Sequence, residues 1–268
     1  MNVDIWRAIV LGIVQGLTEF LPISSSAHLT LAPWLFHWRD PGLAFDVALH
    51  FGTLIAVLWY FRKEWIALAG AAASIVVHRR IETDEERRVL YLIVATIPGA
   101  IAGLALEKYA DSAFRDPKLV ATVLIVMGIV LWWTDKRAAQ DRPLQGMGWM
   151  DAVLIGLAQM FAIIPGVSRS GSTITAGRGL RFTRESAAVF SFLMSMPIIA
   201  AASLLKVPQV LRTEGLDAQL IVGVLASAIS GWLAISVLLK FVVRRSYGIF
   251  AAYRVVVGLI VLAVAFTR

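Results

Sequence analysis

Long apolar segments alternate with short charged segments along this chain. Four windows contain no Asp, Glu, Lys or Arg, and two further windows contain one charged residue each, Asp46 or Arg254. Since about 20 apolar residues span the core of a bilayer as a helix, the pattern predicts six transmembrane helices. These windows are residues 89–106, 119–134, 186–205, 218–239, 41–61 and 246–267. The first two are short and are expected to include flanking residues. The uncharged segment 65–77 predicts a half-spanning or interfacial helix.

Two more apolar segments are interrupted in the middle. Residues 5–38 contain Glu19 and then a Pro-Ile-Ser-Ser-Ser sequence, and residues 149–177 contain Asp151 and then Pro-Gly-Val-Ser-Arg-Ser-Gly. Each segment predicts two half-length helices joined by a break. Unwound backbone inside a membrane is tolerated only where protein buries it or where it lines a cavity. Broken helices at corresponding positions in two halves therefore indicate a membrane-embedded site.

The two breaks are related by a shift of 144 residues (168 − 24). This shift aligns four identical residues in each break. They are Gly12, Gln15, Ser24 and Ser26 in the first half, and Gly156, Gln159, Ser168 and Ser170 in the second. Each half then consists of a broken pair followed by three spans, and an odd number of spans makes the second half enter from the opposite side. We therefore predict an all-α integral membrane protein with two inverted-topology repeats, about residues 1–134 and 148–268, in one membrane domain over residues 1–268.

Composition excludes a soluble globular enzyme, a disordered chain and a disulfide-rich scaffold. Hydrophobic residues make up 59% of the 268 residues and charged residues 16%, whereas soluble domains carry about 25% charged residues. The mean hydropathy is +0.76, and the absence of cysteine excludes disulfides and thiolate metal sites. The net charge of +7 does not indicate a nucleic acid partner, because the charges lie between long uncharged segments, as in the loops of membrane proteins.

Lys and Arg residues predict the orientation of the chain, because cytoplasmic loops of membrane proteins are enriched in them. The loops at 62–88, 135–147, 178–184 and 240–245 carry 15 of the 25 Lys and Arg residues, and the opposite side carries eight. The first set is therefore predicted to be cytoplasmic, with both termini outside. The first broken pair then enters the membrane from the outer face and the second from the cytoplasmic face.

The first break combines an ionisable residue with several hydroxyls. Glu19 lies in a long apolar run, where a charge at the bilayer centre costs roughly 2.5–3.5 kcal/mol, so it is a functional candidate. Gln15 lies one turn earlier on the same helix face. Three serines can each cap the next half-helix, and a histidine follows in its first turn. These residues are Ser24, Ser25, Ser26 and His28. Ser25 and His28 are three residues apart and are expected to converge on one cavity.

The second break has the composition of an anion site. Free N–H groups at a helix N-terminus bind anions, and Arg169, between Ser168 and Ser170, adds a guanidinium suited to bidentate phosphate binding. If the two breaks meet in the membrane, they would enclose a phosphate at membrane depth, which suggests a lipid phosphate. Glu19 could then help to hold a divalent cation, since Mg²⁺ often takes one or two carboxylates plus the phosphates of the substrate.

These residues resemble the signature of the bacterial undecaprenyl-diphosphate phosphatase family, the bacitracin-resistance type. Gln15 and Glu19 match its Glu/Gln-x-x-x-Glu motif, and residues 165–173 match Pro-Gly-x-Ser-Arg-Ser-x-x-Thr at every specified position. The similarity in length and helix order covers essentially the whole chain. One departure is Gln15, since many members carry Glu there. The amide removes a charge, which leaves Glu19 as the carboxylate for a metal or a base.

The resemblance implies an activity, a cofactor and a location. Members of the family remove the terminal phosphate of undecaprenyl diphosphate, which recycles the carrier lipid for peptidoglycan and other wall polymers and removes the target of bacitracin. The activity needs a divalent cation, Mg²⁺ or Ca²⁺, for which Glu19 and more weakly Gln15 are the candidate ligands. The expected location is the bacterial cytoplasmic (inner) membrane, with a homodimer as the expected assembly and the active site facing the outer side.

The catalytic assignment that we prefer has Ser25 as the nucleophile or as the hydroxyl that positions it. His28 is the general base or acid, and Arg169 holds the diphosphate and stabilises the transferring phosphoryl group. The phosphate-binding set is Ser24, Ser26, Ser168, Arg169, Ser170 and Thr173. Ser26 and His28 stay open as alternative nucleophiles. The alternative function is a polyprenyl-phosphate flippase, which the Ser, His and Glu cluster disfavours because transport needs no nucleophile.

Overall fold

The computed structural model describes residues 3–110, 113–213, 215 and 217–267. The described residues are mostly helical, with an isolated β-bridge between Arg142 and Phe182. In chain order the helices are α1 (Ile5–Phe20), α2 (Ser25–Leu35), α3 (Leu43–Tyr60), α4 (Arg62–His78), α5 (Asp84–Ala105), α6 (Glu107–Ala110), α7 (Pro117–Arg137), α8 (Trp149–Met160), α9 (Arg169–Gly179), α10 (Arg184–Thr213), α11 (Ala218–Arg244) and α12 (Gly248–Thr267).

Five helices of the described chain are long and apolar enough to cross a membrane, namely α5, α7, α10, α11 and α12. They confirm five of the six predicted spans, and α5 and α7 include flanking residues as expected. The sixth predicted span, residues 41–61, meets the same test only together with α4, from which α3 is bent by 84°. A multi-pass membrane protein follows from these helices.

Both predicted breaks are present. The first separates α1 from α2, and the second separates α8 from α9. Elements of the first half pack against elements of the second, with α1 on α11 and α5 on α8. Contacts therefore join the two halves, while the single domain and the inverted relation of the halves stay predictions.

The contact between α1 and α11 depends on small residues. A Cβ atom added to Gly12 would lie 2.3 Å from the carbonyl oxygen of Gly223, and one added to Gly16 would lie 2.0 Å from Ser230 Oγ. These two glycines are four residues apart and form a Gly-x-x-x-Gly face, which lets membrane helices approach closely. Close packing of α1 against α11 fixes the half-helix that carries Glu19.

A buried polar cluster holds the far end of α9. Arg178 is fully buried and donates to Asp135 Oδ1 at 2.8 Å and to the carbonyl of Ala138 at 2.9 Å. Arg184 and the backbone N–H of Tyr247 also donate to Asp135. Because α7, α9, α10 and the residue before α12 all contribute to this cluster, it fixes the ends of these helices relative to one another.

Candidate functional site

The two breaks meet, as the sequence predicts for a membrane-embedded site. The backbone N–H of Gly166 donates to Ser24 Oγ at 3.1 Å, and Ser170 Oγ donates to the carbonyl of Leu21 at 3.1 Å. Each break therefore satisfies a polar backbone group of the other. Leu21 has an extended backbone, as expected for a residue before proline, and ends α1 there.

The breaks have the same local conformation. Ser24 and Ser168 have φ angles of 76° and 72°, a left-handed conformation that residues other than glycine seldom adopt. Each side chain caps the helix that follows, since Ser24 Oγ accepts from the N–H of Ala27 and Ser168 Oγ from that of Gly171. Helices α2 and α9 therefore both begin at this meeting point, and the positive ends of their dipoles lie there. Strained backbone of this kind is concentrated at functional sites.

Glu19 lies at the centre of the site. Its carboxylate accepts a hydrogen bond from Ser25 Oγ at 2.5 Å, one from Gln15 Nε2 at 3.0 Å and one from Arg169 Nη2 at 2.8 Å. Glu19 is 6% exposed, so these bonds replace water around a buried charge. The structure thus joins four of the predicted residues, and they come from both halves of the chain.

Arg169 divides its guanidinium between two acceptors. Nη2 binds Glu19, and Nη1 donates to the carbonyl of Ser191 on α10 at 2.8 Å. Thr173 Oγ1 lies 2.7 Å from Ser191 Oγ and also donates to the carbonyl of Arg169. Thr173 therefore holds the backbone of α9 on α10. These contacts favour a role in supporting Arg169 over a direct phosphate contact.

His50 is a site residue that the sequence analysis did not identify. Its Nε2 lies 3.3 Å from Glu19 Oε2, and its Nδ1 donates to the carbonyl of Asp46 at 2.7 Å. Asp46 in turn accepts from Arg115 at 3.1 Å, and Arg115 also binds Asp40. The signal in the sequence was a histidine one turn after the single charge of an otherwise uncharged window, and only packing shows that this histidine reaches Glu19.

His28 does not join Ser25, in contrast to the expected convergence. His28 Nδ1 donates to the carbonyl of Ser24 at 2.7 Å, so Nδ1 carries the proton and Nε2 accepts from the hydroxyl of Tyr253 at 2.8 Å. Ser25 donates to Glu19 instead. A spacing of three residues places Ser25 and His28 near one face of the helix. It does not fix the rotamers, which decide the partner that each side chain binds. Ser26 is half-buried, and its hydroxyl lies 3.2 Å from Ser24 Oγ.

The residues offer few ligands for a metal ion. Within the described chain, no three His, Asp or Glu side chains are grouped closely enough to hold one. Glu19 supplies a carboxylate, and Gln15 Oε1 is a buried oxygen with no hydrogen-bond partner. These two oxygens fit a divalent cation that takes its other ligands from phosphate and water, which is common for Mg²⁺.

Comparison with known proteins identifies the family. A family model described as bacitracin resistance protein BacA matches residues 8–260. A protein of Gemmatimonas aurantiaca is 57% identical over 264 residues, which cover 98% of this chain and 99% of that protein. Proteins of Pelotomaculum thermopropionicum and Moorella thermoacetica are 51% and 49% identical, with 98% of each chain covered. All three carry the name undecaprenyl-diphosphatase. This chain therefore belongs to the bacterial BacA family of bacitracin resistance proteins.

Proposed function

We propose that this chain hydrolyses undecaprenyl diphosphate to undecaprenyl phosphate and inorganic phosphate. Relatives with that name cover nearly the whole chain at 49–57% identity. The meeting of two helix N-termini with Arg169 suits a phosphate group. The observation that carries the proposal is the 2.5 Å hydrogen bond from Ser25 to Glu19 beside Arg169. A hydroxyl paired with a buried carboxylate has a use in hydrolysis that transport does not require, so a flippase is not favoured.

The contacts support a covalent mechanism with Glu19 as the base. Ser25 Oγ attacks the terminal phosphorus while Glu19 takes its proton, and the bond from that phosphorus to the bridging oxygen breaks. Undecaprenyl phosphate leaves with the electrons of that bond. Water then attacks the phosphoserine, releases inorganic phosphate and returns the serine hydroxyl. Arg169 shifts from Glu19 toward the phosphoryl oxygens and stabilises their charge. In this mechanism Glu19 activates Ser25 in place of His28. Ser26 and His28 stay open as alternative nucleophiles.

A divalent cation, Mg²⁺ or Ca²⁺, belongs to the same proposal. Glu19 and Gln15 Oε1 would hold it together with the diphosphate, and it would neutralise part of the phosphate charge. Gln15 also donates to Glu19 through Nε2, which orients the carboxylate toward Ser25. The expected location is the bacterial cytoplasmic membrane with the site open to the outer side, and the expected assembly is a homodimer. There the enzyme would recycle carrier lipid for peptidoglycan and remove the target of bacitracin.

Phosphate release from purified lipid tests the activity directly. The detergent-solubilised protein should release inorganic phosphate from undecaprenyl diphosphate, and a chelator should stop the reaction until Mg²⁺ or Ca²⁺ is restored. Ser25→Ala should be inactive, while Ser26→Ala should keep at least about a tenth of the activity. Acid-quenched enzyme should contain phosphoserine at residue 25 by mass spectrometry. Lipid transport into vesicles without phosphate release would contradict the proposal.

A further inference from the structure

Arg254 is a buried charge that the proposed reaction does not use. It is fully buried in α12, in a window of the sequence that contains no other charged residue. An arginine at such a depth is costly and in membrane segments commonly marks a functional pathway or site. Arginine stays protonated in proteins, so the cost cannot be avoided by losing the proton.

The guanidinium contacts both breaks at once. Nη1 donates to the carbonyl of Pro22 at 3.2 Å, and Nη2 donates to the carbonyls of Gly166 at 2.6 Å and Val167 at 3.0 Å. Nε donates to the carbonyl of Leu124 on α7 at 3.3 Å. A Cβ atom added to Gly171 would lie 2.6 Å from Nη1, so this glycine leaves space for the guanidinium beneath the first turn of α9.

Satisfying these carbonyls does not by itself require a charge. A neutral donor could bind unwound carbonyls at a lower desolvation cost than a guanidinium. Within the described part of the chain, Arg254 binds only carbonyl oxygens and no carboxylate. Glu19 is paired with Arg169, so the positive charge of Arg254 is not balanced by an acidic side chain at either break. An anion bound between the two helix N-termini would balance it.

We infer that Arg254 is a positioning residue for the diphosphate headgroup, which fixes the two breaks relative to each other and provides positive charge beneath them. The inference rests on the proposed function and extends its site to α12. The contacts hold the carbonyl oxygens of both breaks at Arg254, while the phosphate would bind at the N-termini of α2 and α9. The unbalanced charge attracts the anion through a low-dielectric interior.

Two variants separate the two parts of this role. Arg254→Gln removes the charge, so the dissociation constant of inorganic pyrophosphate and the KM for undecaprenyl diphosphate should both rise by about tenfold or more. Arg254→Lys keeps the charge, but a single ammonium cannot reach four carbonyls in three elements. Pyrophosphate should therefore bind within about threefold of the wild type, while kcat falls about tenfold. Pyrophosphate binding is measured by calorimetry, which needs no turnover.

Arg178 is the matched control, because it is equally buried and binds several carbonyls at the other end of α9. Arg178→Gln and Arg178→Lys should lower the melting temperature and leave pyrophosphate binding unchanged. Wild-type pyrophosphate binding in Arg254→Gln, wild-type kcat in Arg254→Lys, or an equal loss of binding in Arg178→Gln would overturn the inference. So would failure of both Arg254 variants to fold while the Arg178 variants fold. A wild type that binds pyrophosphate through Arg254 but releases no phosphate from the lipid would contradict the proposed function alone.

Discussion

At the residue scale, the site is organised around the carboxylate of Glu19. Gln15 and Ser25 reach it from the first half of the chain, Arg169 from the second, and His50 from α3. A buried carboxylate needs such partners, because an unpaired one would be strongly destabilising. The same partners orient its oxygens, so the residues that make the burial of Glu19 tolerable also direct it toward Ser25.

Glu19→Gln tests whether Glu19 is the base that takes the proton of Ser25. The amide keeps the shape of the side chain but cannot take the proton of Ser25, so kcat should fall by roughly 10²–10⁴-fold. The measurement is phosphate release from undecaprenyl diphosphate, with Gln15→Ala as the comparison, since loss of Gln15 leaves the carboxylate in place. Turnover of Glu19→Gln above that of Gln15→Ala would show that Glu19 is not the base.

Arg169→Lys should fail although the charge is kept. A lysine presents one ammonium and cannot bind Glu19 and the carbonyl of Ser191 as a planar guanidinium does. We expect kcat/KM to fall by about 10²-fold or more. Near-normal kinetics would mean that Arg169 acts only as a point charge. Circular dichroism before and after solubilisation controls for loss of the fold.

His50 should tolerate replacement only by another hydrogen-bond donor. His50→Leu removes the contact with Glu19 and should lower kcat by about tenfold, whereas His50→Gln can still donate to the carboxylate and should recover most of it. His78 is exposed on α4 and far along the chain from the site, so His78→Leu is a suitable control with unchanged kinetics. Equal activity of His50→Leu and the wild type would assign His50 to packing alone.

At the element scale, the glycine face of α1 decides whether the first half-helix is correctly placed. A side chain at Gly16 would meet Ser230 Oγ at 2.0 Å and the carbonyl of Ser227 at 2.4 Å, and backbone cannot move aside cheaply. Gly16→Leu should therefore cost about 3 kcal/mol or more and lower the melting temperature by about 6 °C or more. A Cβ atom at Gly103 of α5 meets nothing within 4 Å, so Gly103→Leu is the matched control. Similar melting temperatures for both variants would contradict the close packing of α1 on α11.

At the scale of the whole molecule, labelling of single cysteines tests the prediction that the site opens to the outer face of the membrane. The chain has no cysteine, so single cysteines can be labelled without background. With a membrane-impermeant thiol reagent, Arg39→Cys should label from outside intact cells and Glu85→Cys only after permeabilisation. Ser26→Cys should label from outside and be protected by pyrophosphate. Labelling of Arg39→Cys only after permeabilisation would reverse the orientation and remove the argument for lipid recycling at the outer face.

The helices, the breaks and the residues that meet at Glu19 from both breaks could be predicted largely from the sequence alone. Spans follow from the length of apolar windows, because a bilayer excludes charge and unpaired backbone. The breaks follow from proline and from serines that cap helices. Glu19 and Arg169 stand out because an ionisable residue in an apolar run is costly in a membrane and is therefore a candidate functional residue. These signals are local, and local sequence is enough to detect them.

The pairing of these side chains could not be predicted from the sequence and is visible only in the folded structure. Ser25 binds Glu19 and not His28, His28 binds Tyr253, and His50 joins the site although its segment gave no motif. Arg254 bridges two breaks that lie far from it in the sequence. Such pairings depend on the rotation of each helix about its axis and on the rotamers of its side chains. Those are set by packing between elements as distant as α1 and α11, and no pattern along a single segment encodes them.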